Sequence, residues 1–217
     1  MTDFRFDVDE AYARKHNEFF RDAKRAQLSA ALLALILFIV IGVIFAIKGV
    51  VIFSIAMAII LGVFALLCLA LIPVLPKKMG TPQQYYDAYK LVPAVIAEVN
   101  ARDVVLLAYV DAAAEPETRG SQPALAARVV TSVPGVRREV GARVPSMAVL
   151  GNRSFRSQHT FEEISPMPVA WGTSDQKVWA MAEKAISERE WKKAEKGVER
   201  LDDVKKTKRN LLLLNKQ

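Results

Sequence analysis

The chain has one cysteine, Cys68, among its 217 residues. No intrachain disulfide can form, so a disulfide-stapled secreted fold is excluded and a reducing compartment fits. Metal sites built on cysteine are excluded too. Histidine is nearly as scarce: His16 and His159 lie far apart, and no metal site is expected at either. The sequence also lacks a phosphate-loop signature, a dinucleotide fingerprint, a glycine-framed nucleophile elbow and the spacings of a helix-turn-helix or zinc finger. Sequence-specific nucleic-acid binding is therefore not expected. Asp103, Asp111 and Glu115 are close in sequence but flank an apolar run. Ser132, Ser146 and Ser154 have no evident histidine partner. No catalytic set is assigned, and the chain reads as a non-enzyme.

Two long apolar runs are present. Leu28 to Ile47 and Val50 to Leu75 carry no charge and are separated only by Lys48-Gly49. Each is about the ~20 residues that cross a bilayer core as a helix. One helix over both would be roughly 72 Å long at ~1.5 Å per residue, too long for a ~30 Å core. The Lys48-Gly49 break therefore predicts a hairpin, with Gly49 in the left-handed geometry that ends a helix. Arg14, Lys15, Arg21, Lys24 and Arg25 precede the first run, Lys77 and Lys78 follow the second, and only Lys48 lies between. That asymmetry predicts a multi-pass protein of the cell membrane with both termini cytoplasmic. Pro73, Pro76, Gly80 and Pro82 are expected to mark the exit from the bilayer. The runs hold no Asp, Glu, Arg or His, which argues against a pump or carrier. Ser54, Ala58 and Gly62 recur every four residues, as do Gly42 and Ala46. Such spacing suits close helix approach, within the hairpin or against a membrane partner.

Three parts follow: an N-terminal helix over 1–27, cytoplasmic or interfacial; the hairpin over 28–75; and a cytoplasmic domain over 80–217. Residues 1–27 are neutral, with six basic and six acidic side chains, and Asp9 is positioned to cap their helix. From residue 76 onward there are 23 basic and 17 acidic residues, a surplus of +6. A positive domain next to an anionic leaflet favours lipid contact and acidic ligands.

Within the domain, a short helix is expected around Gln83–Lys90. Val95–Val99, Val104–Val110, Leu125–Val133, Val136–Val144, Ser146–Leu150 and an edge strand over Ile164–Trp171 read as strands. Thr173 or Ser174 is expected to cap a helix over Asp175–Ile186. Ser187 with Glu190 matches a capping box for the next helix, where Trp191, Ala194, Val198 and Leu201 form one apolar stripe. The closing basic run and four leucines suit a membrane-touching tip or a helix end docked on the domain. The fold class is α+β: a transmembrane hairpin, then a small, mainly antiparallel sheet or partly open barrel with C-terminal helices.

Between 119 and 156 every basic residue is arginine, seven in all, against the single acid Glu139. The planar guanidinium grips phosphate with two bonds at once. Arg137, Arg138, Arg143, Arg153, Ser154 and Arg156 are the phosphate-binding candidates. Phe155 and Trp171 are the stacking candidates. Together they suit coenzyme A or a nucleotide-like ligand; the alternative for the chain is an accessory or scaffold subunit of a membrane or envelope complex.

The chain resembles a corynebacterial family of two-span membrane proteins with a domain of unknown function. The resemblance rests on Val8-Asp9-Glu10-Ala11-Tyr12-Ala13 with Asn17-Glu18-Phe19, on Pro93–Val105, on Ala127–Val144 running into Pro145, and on Ile164-Ser165-Pro166-Met167-Pro168 with Ala170-Trp171-Gly172-Thr173. It implies a cytoplasmic domain of mixed α and β structure and points toward coenzyme A. It assigns no contact residues.

Overall fold

A computed structural model describes residues 1–151, 153 and 159–214. The chain divides into two units: Glu18–Thr81, and Met1–Asn17 together with Pro82–Gln217. Helix α1 (Glu10–His16) belongs to the second unit and is capped by Asp9, whose Oδ1 accepts from the Tyr12 amide at 2.9 Å.

The first unit is a helical hairpin of α2 (Glu18–Lys48) and α3 (Ile52–Met79), with the turn at Gly49. Gly49 has φ +68° and donates its amide to Phe45 O, so the turn is the left-handed cap that the sequence predicts. Both helices are long and apolar enough to cross a membrane. Ala34, Ala65 and Cys68 are buried between them, while Leu32, Ile36, Phe53 and Ile59 face outward. The second helix runs on through Pro73 and Pro76 to Met79. Pro76 has no N–H for the carbonyl of Ile72, and the side chain of Gln27 donates to that oxygen at 2.7 Å instead. A neighbouring helix re-satisfies the freed carbonyl, as membrane helices require.

The second unit is the α+β domain. It begins with α4 (Pro82–Asp87), β1 (Leu91–Val99) and β2 (Val104–Asp111). The short helix α5 (Pro116–Arg119) leads into β3 (Pro123–Val130), β4 (Arg143–Leu150) and β5 (Ile164–Pro168). A 3-10 turn over Val169–Trp171 precedes α6 (Gln176–Ala185) and α7 (Glu188–Gly197). A second 3-10 turn, Val198–Arg200, leads to α8 (Leu201–Lys206) and β6 (Leu211–Leu213). The six strands form one antiparallel half-barrel in the order β5-β4-β1-β2-β3-β6. Its alanine-rich face, with Ala94, Ala108, Ala124, Ala126 and Ala148 beside Val92 and Val110, forms one cluster of the core. Ala97, Val105, Leu107 and Leu125 form another with Leu201 and Val204 of α8.

Residues 1–17 are stitched into this domain. Thr2 exchanges both backbone bonds with Leu91. The Gln83 amide accepts from Val8 N at 2.8 Å and donates to Phe6 O at 3.0 Å, as a strand neighbour would. Asn17 is fully buried and donates to the Tyr86 hydroxyl, which donates to Pro168 O. Two other expectations change. Residues 131–142 are a loop, because Gly135 has φ +72° and Trp179 fills the place of its missing Cβ. Regular pairing resumes only at Arg143. The C-terminal leucines are not a helix end: Leu211–Leu213 pair with Ala124–Ala126 as the outer strand.

Candidate functional site

The arginine-rich stretch does not converge on one place. Arg143 opens β4 and donates twice to Glu188, at 2.8 and 2.9 Å, and once to Glu195 at 3.0 Å. Glu183 lies 3.9 Å away, and the guanidinium sits 5.0 Å from the Trp191 ring centroid. The hydrogen bonds it donates to Glu188, and then to Glu195, push the Arg143 pKa above its ordinary value, and Glu188 is held below the ordinary carboxylate value chiefly by the same bond. This guanidinium is a strut between the sheet and α7.

Arg138 reaches the opposite turn, where Nη2 donates to Asn100 O and Asp103 O at 2.8 and 3.2 Å. Arg137 shares a cleft of 600 Å³ with Arg143, but Glu139 and Glu183 line it too, so its charge is mixed. Arg153 lies 5.1 Å from the centroid of Phe161. Ser154, Phe155 and Arg156 fall outside the described residues. Trp171 is fully buried, donates to Ser132 O at 2.9 Å and has Arg128 over its ring. As a stacking platform it has no exposed face.

The acids near β2 are occupied as well. Asp111 accepts from the amides of Ala113 and Gln122, and Asp103 accepts from Asn100. Among the described residues, no cluster of three His, Cys, Asp or Glu side chains could hold a metal.

Free positive charge gathers on α7 instead. Ser187 caps this helix in a complete capping box with Glu190, as its sequence predicts. At 3.6 residues per turn the helix has three flanks. Trp191 and Ala194 are buried; α7 packs on β1 and β2. Glu188 and Glu195 flank them on one side and hold Arg143. On the other side, Arg189, Lys193 and Lys196 fall within an arc of roughly 60°, and Arg200 follows in the 3-10 turn. These four exposed cations line a cleft of 750 Å³ with Tyr109, Ser121, Pro123, Leu125, Gly197 and Leu214. A Cβ at Gly197 would come within 2.6 Å of Leu125, so the missing side chain lets the helix sit directly on the sheet.

No carboxylate lines this cleft among the described residues. Lys193 donates to the Tyr109 hydroxyl at 3.1 Å and lies 4.8 Å from the ring centroid. Arg200 has a loose partner in Asp203 at 3.7 Å. Arg189, Lys193 and Lys196 have no ion pair among the described residues. The sequence carries the signal as cations at positions i, i+4, i+7 and i+11, which composition alone does not display.

In the hairpin, Ser54 is fully buried, while Ala58 and Gly62 are half-buried. A Cβ added at Gly42 or Gly62 would meet no atom within 4 Å.

A family model described as "Protein of unknown function (DUF3239)" matches residues 77–202. A crystal structure of a "putative membrane protein" from Corynebacterium diphtheriae is 45% identical, with a TM-score of 0.55, and the match spans 58% of this chain and 100% of that one. No curated protein matches. The chain belongs to the DUF3239 family, and its two long apolar helices make it a membrane-protein candidate.

Proposed function

We propose that this chain is a non-enzymatic, membrane-anchored binding module whose cytoplasmic domain recognises a phosphate-bearing metabolite, coenzyme A or a nucleotide-like compound. The observation that carries this reading is the α7 cleft: three cations on α7 and a fourth on the 3-10 turn after it, no lining carboxylate among the described residues, and an aromatic ring beside them. Its 750 Å³ falls in the ~300–1,000 Å³ range of small-molecule sites. Cations without acidic partners are the groups a phosphate would engage. The ligand site moves from the arginine stretch to this cleft because Arg143 and Arg138 already have partners.

One observation supports a cytoplasmic placement of the termini, and a second supports a common side for both. The flanking Lys and Arg residues outnumber the lone Lys48 of the turn. The segments on either side of the hairpin, Met1–Asn17 and Pro82–Gln217, build one folded unit, so both hairpin ends must open on the same side. The alternative, an accessory or scaffold subunit, draws on the open flanks at Gly42 and Gly62, where another helix could approach closely.

The test is thermal unfolding of the detergent-solubilised full chain against coenzyme A, acyl-coenzyme A and nucleotides. A binder at a hundred times its dissociation constant adds about 2.7 kcal/mol of stability. Stabilisation by one class, lost in a Lys193→Glu/Lys196→Glu variant that still folds, supports the module. A cooperative melt that no compound moves turns the assignment to the scaffold, with Gly62→Leu and co-purification as its test.

A further inference from the structure

Resting on the reading of the α7 cleft as a phosphate site, we propose that its ligand is an extended solute with two separated anionic groups joined by an apolar or flat middle. The cations come in two pairs. Arg189 and Lys193 stand one turn apart at the start of α7; Lys196 and Arg200 stand one turn apart across its end. The midpoints of the pairs are seven residues apart, roughly 10 Å along the axis at ~1.5 Å per residue. Like charges one turn apart repel, so each pair gains from an anion placed between its members. A single phosphate satisfies one pair and leaves the other facing water.

The surface beside the row is different in kind. Tyr109, Pro123 and Leu214 form an aromatic and apolar wall along the cations, with the buried Leu125 behind it. Leu214 is fixed there by two bonds, its amide to Pro123 O and the Gln122 side chain to its own carbonyl, both 2.8 Å. The wall is therefore part of the sheet edge rather than a passing loop. Inorganic phosphate would leave it uncovered, whereas a chain or ring between two anionic ends would lie against it.

The test is calorimetric titration of the full chain in neutral detergent with two probes, hexanediol bisphosphate and hexyl phosphate. The bisphosphate is expected to bind at least about tenfold more tightly, since its second anion adds a charge-assisted contact at the other pair. Arg189→Glu and Arg200→Glu should each weaken the bisphosphate about tenfold, and only one of them should weaken hexyl phosphate comparably. Arg189→Gln and Arg200→Gln serve as the milder pair if a reversal disturbs the melt.

Equal affinity for the two probes, or a charge reversal without effect on the bisphosphate, overturns the two-point ligand. The phosphate-site reading then survives if the metabolite panel still stabilises the protein. Failure of both probes to bind also overturns the proposal, and failure of the panel as well removes the reading beneath it. If phosphatidylglycerol added to the micelles occupies the row and neither probe competes, the occupant is a lipid headgroup and the proposal falls.

Discussion

Residues 119–156 and residues 188–200 deploy positive charge in opposite ways. The first segment has seven arginines and one acid; the second has five cations and four acids and is close to neutral. Composition alone makes the first the binding region. In the fold the arginines of the first are distributed among carboxylates, turn carbonyls and aromatic rings on different elements. On the near-neutral helix Glu188 and Glu195 turn to Arg143, Glu190 turns to Ser187 and the Met1 amine, and the cations line the cleft. Net charge thus says little about where an anion can bind. What counts is whether each cation's nearest acid lies on the same flank, and a helix can separate the two within one turn.

Trp191 is the pivot of this arrangement, so its loss should have the largest effect. It is fully buried, lies under the Arg143 guanidinium and anchors the helix that carries the cation row. Trp191→Ala is expected to cost about 3–5 kcal/mol in urea unfolding and to abolish ligand-induced stabilisation as well. A cost below about 1 kcal/mol would mean that α7 does not depend on this seat.

The next test separates the two regions. Arg143→Met keeps an apolar stem against Trp191 and removes the network with Glu188 and Glu195. It should lower the urea midpoint only modestly, given how exposed those carboxylates are, and leave ligand affinity within about twofold. Lys193→Glu/Lys196→Glu should do the reverse, shifting stability by less than about 0.5 kcal/mol while removing binding. A binding loss in Arg143→Met with intact folding would return the site to the arginine stretch and end the contrast.

Much of the architecture is legible in the sequence because it depends on short-range signals. The charge-free runs and Gly49 define the hairpin, Asp103 and Asp111 bound β2, and Ser187 with Glu190 starts α7. Features set by distant partners are not legible. Arginines alternating with apolar residues over 136–144 imitate a strand, but Gly135 turns the chain to accommodate Trp179, more than forty residues later. Leu211–Leu213 become a strand because the edge of β3 is unpaired until they arrive. Residues 1–17 join the domain through Gln83 and Tyr86, across the whole hairpin. The cation row is readable as a spacing, yet the acid-free lining depends on distant partners: Arg143 holds Glu188 and Glu195, and the Met1 amine and Ser187 hold Glu190.

The smallest effect is a difference in acid sensitivity, and it follows from those same carboxylates. Glu188 is held below the ordinary value of 4.5 chiefly by its bond from Arg143. Burial opposes the shift at Glu190, but bonds from Ser187 and the Met1 amine leave it lowered too. A carboxyl depressed in the folded state contributes stability above its unfolded value and loses that contribution as pH falls through the folded one. Urea midpoints should therefore hold steady from neutral pH to 4.5 and decline below it. Arg143→Met removes the leading cause of the Glu188 shift but not the partners of Glu190. Its decline below 4.5 should be shallower than that of the parent, yet not absent. Lys193→Glu/Lys196→Glu touches neither carboxyl's named partners and should follow the parent's acid limb. If instead the cation-row variant flattens that limb and Arg143→Met does not, the acids of α7 are held by its own lysines, and the helix does not divide its charges into one structural flank and one open one.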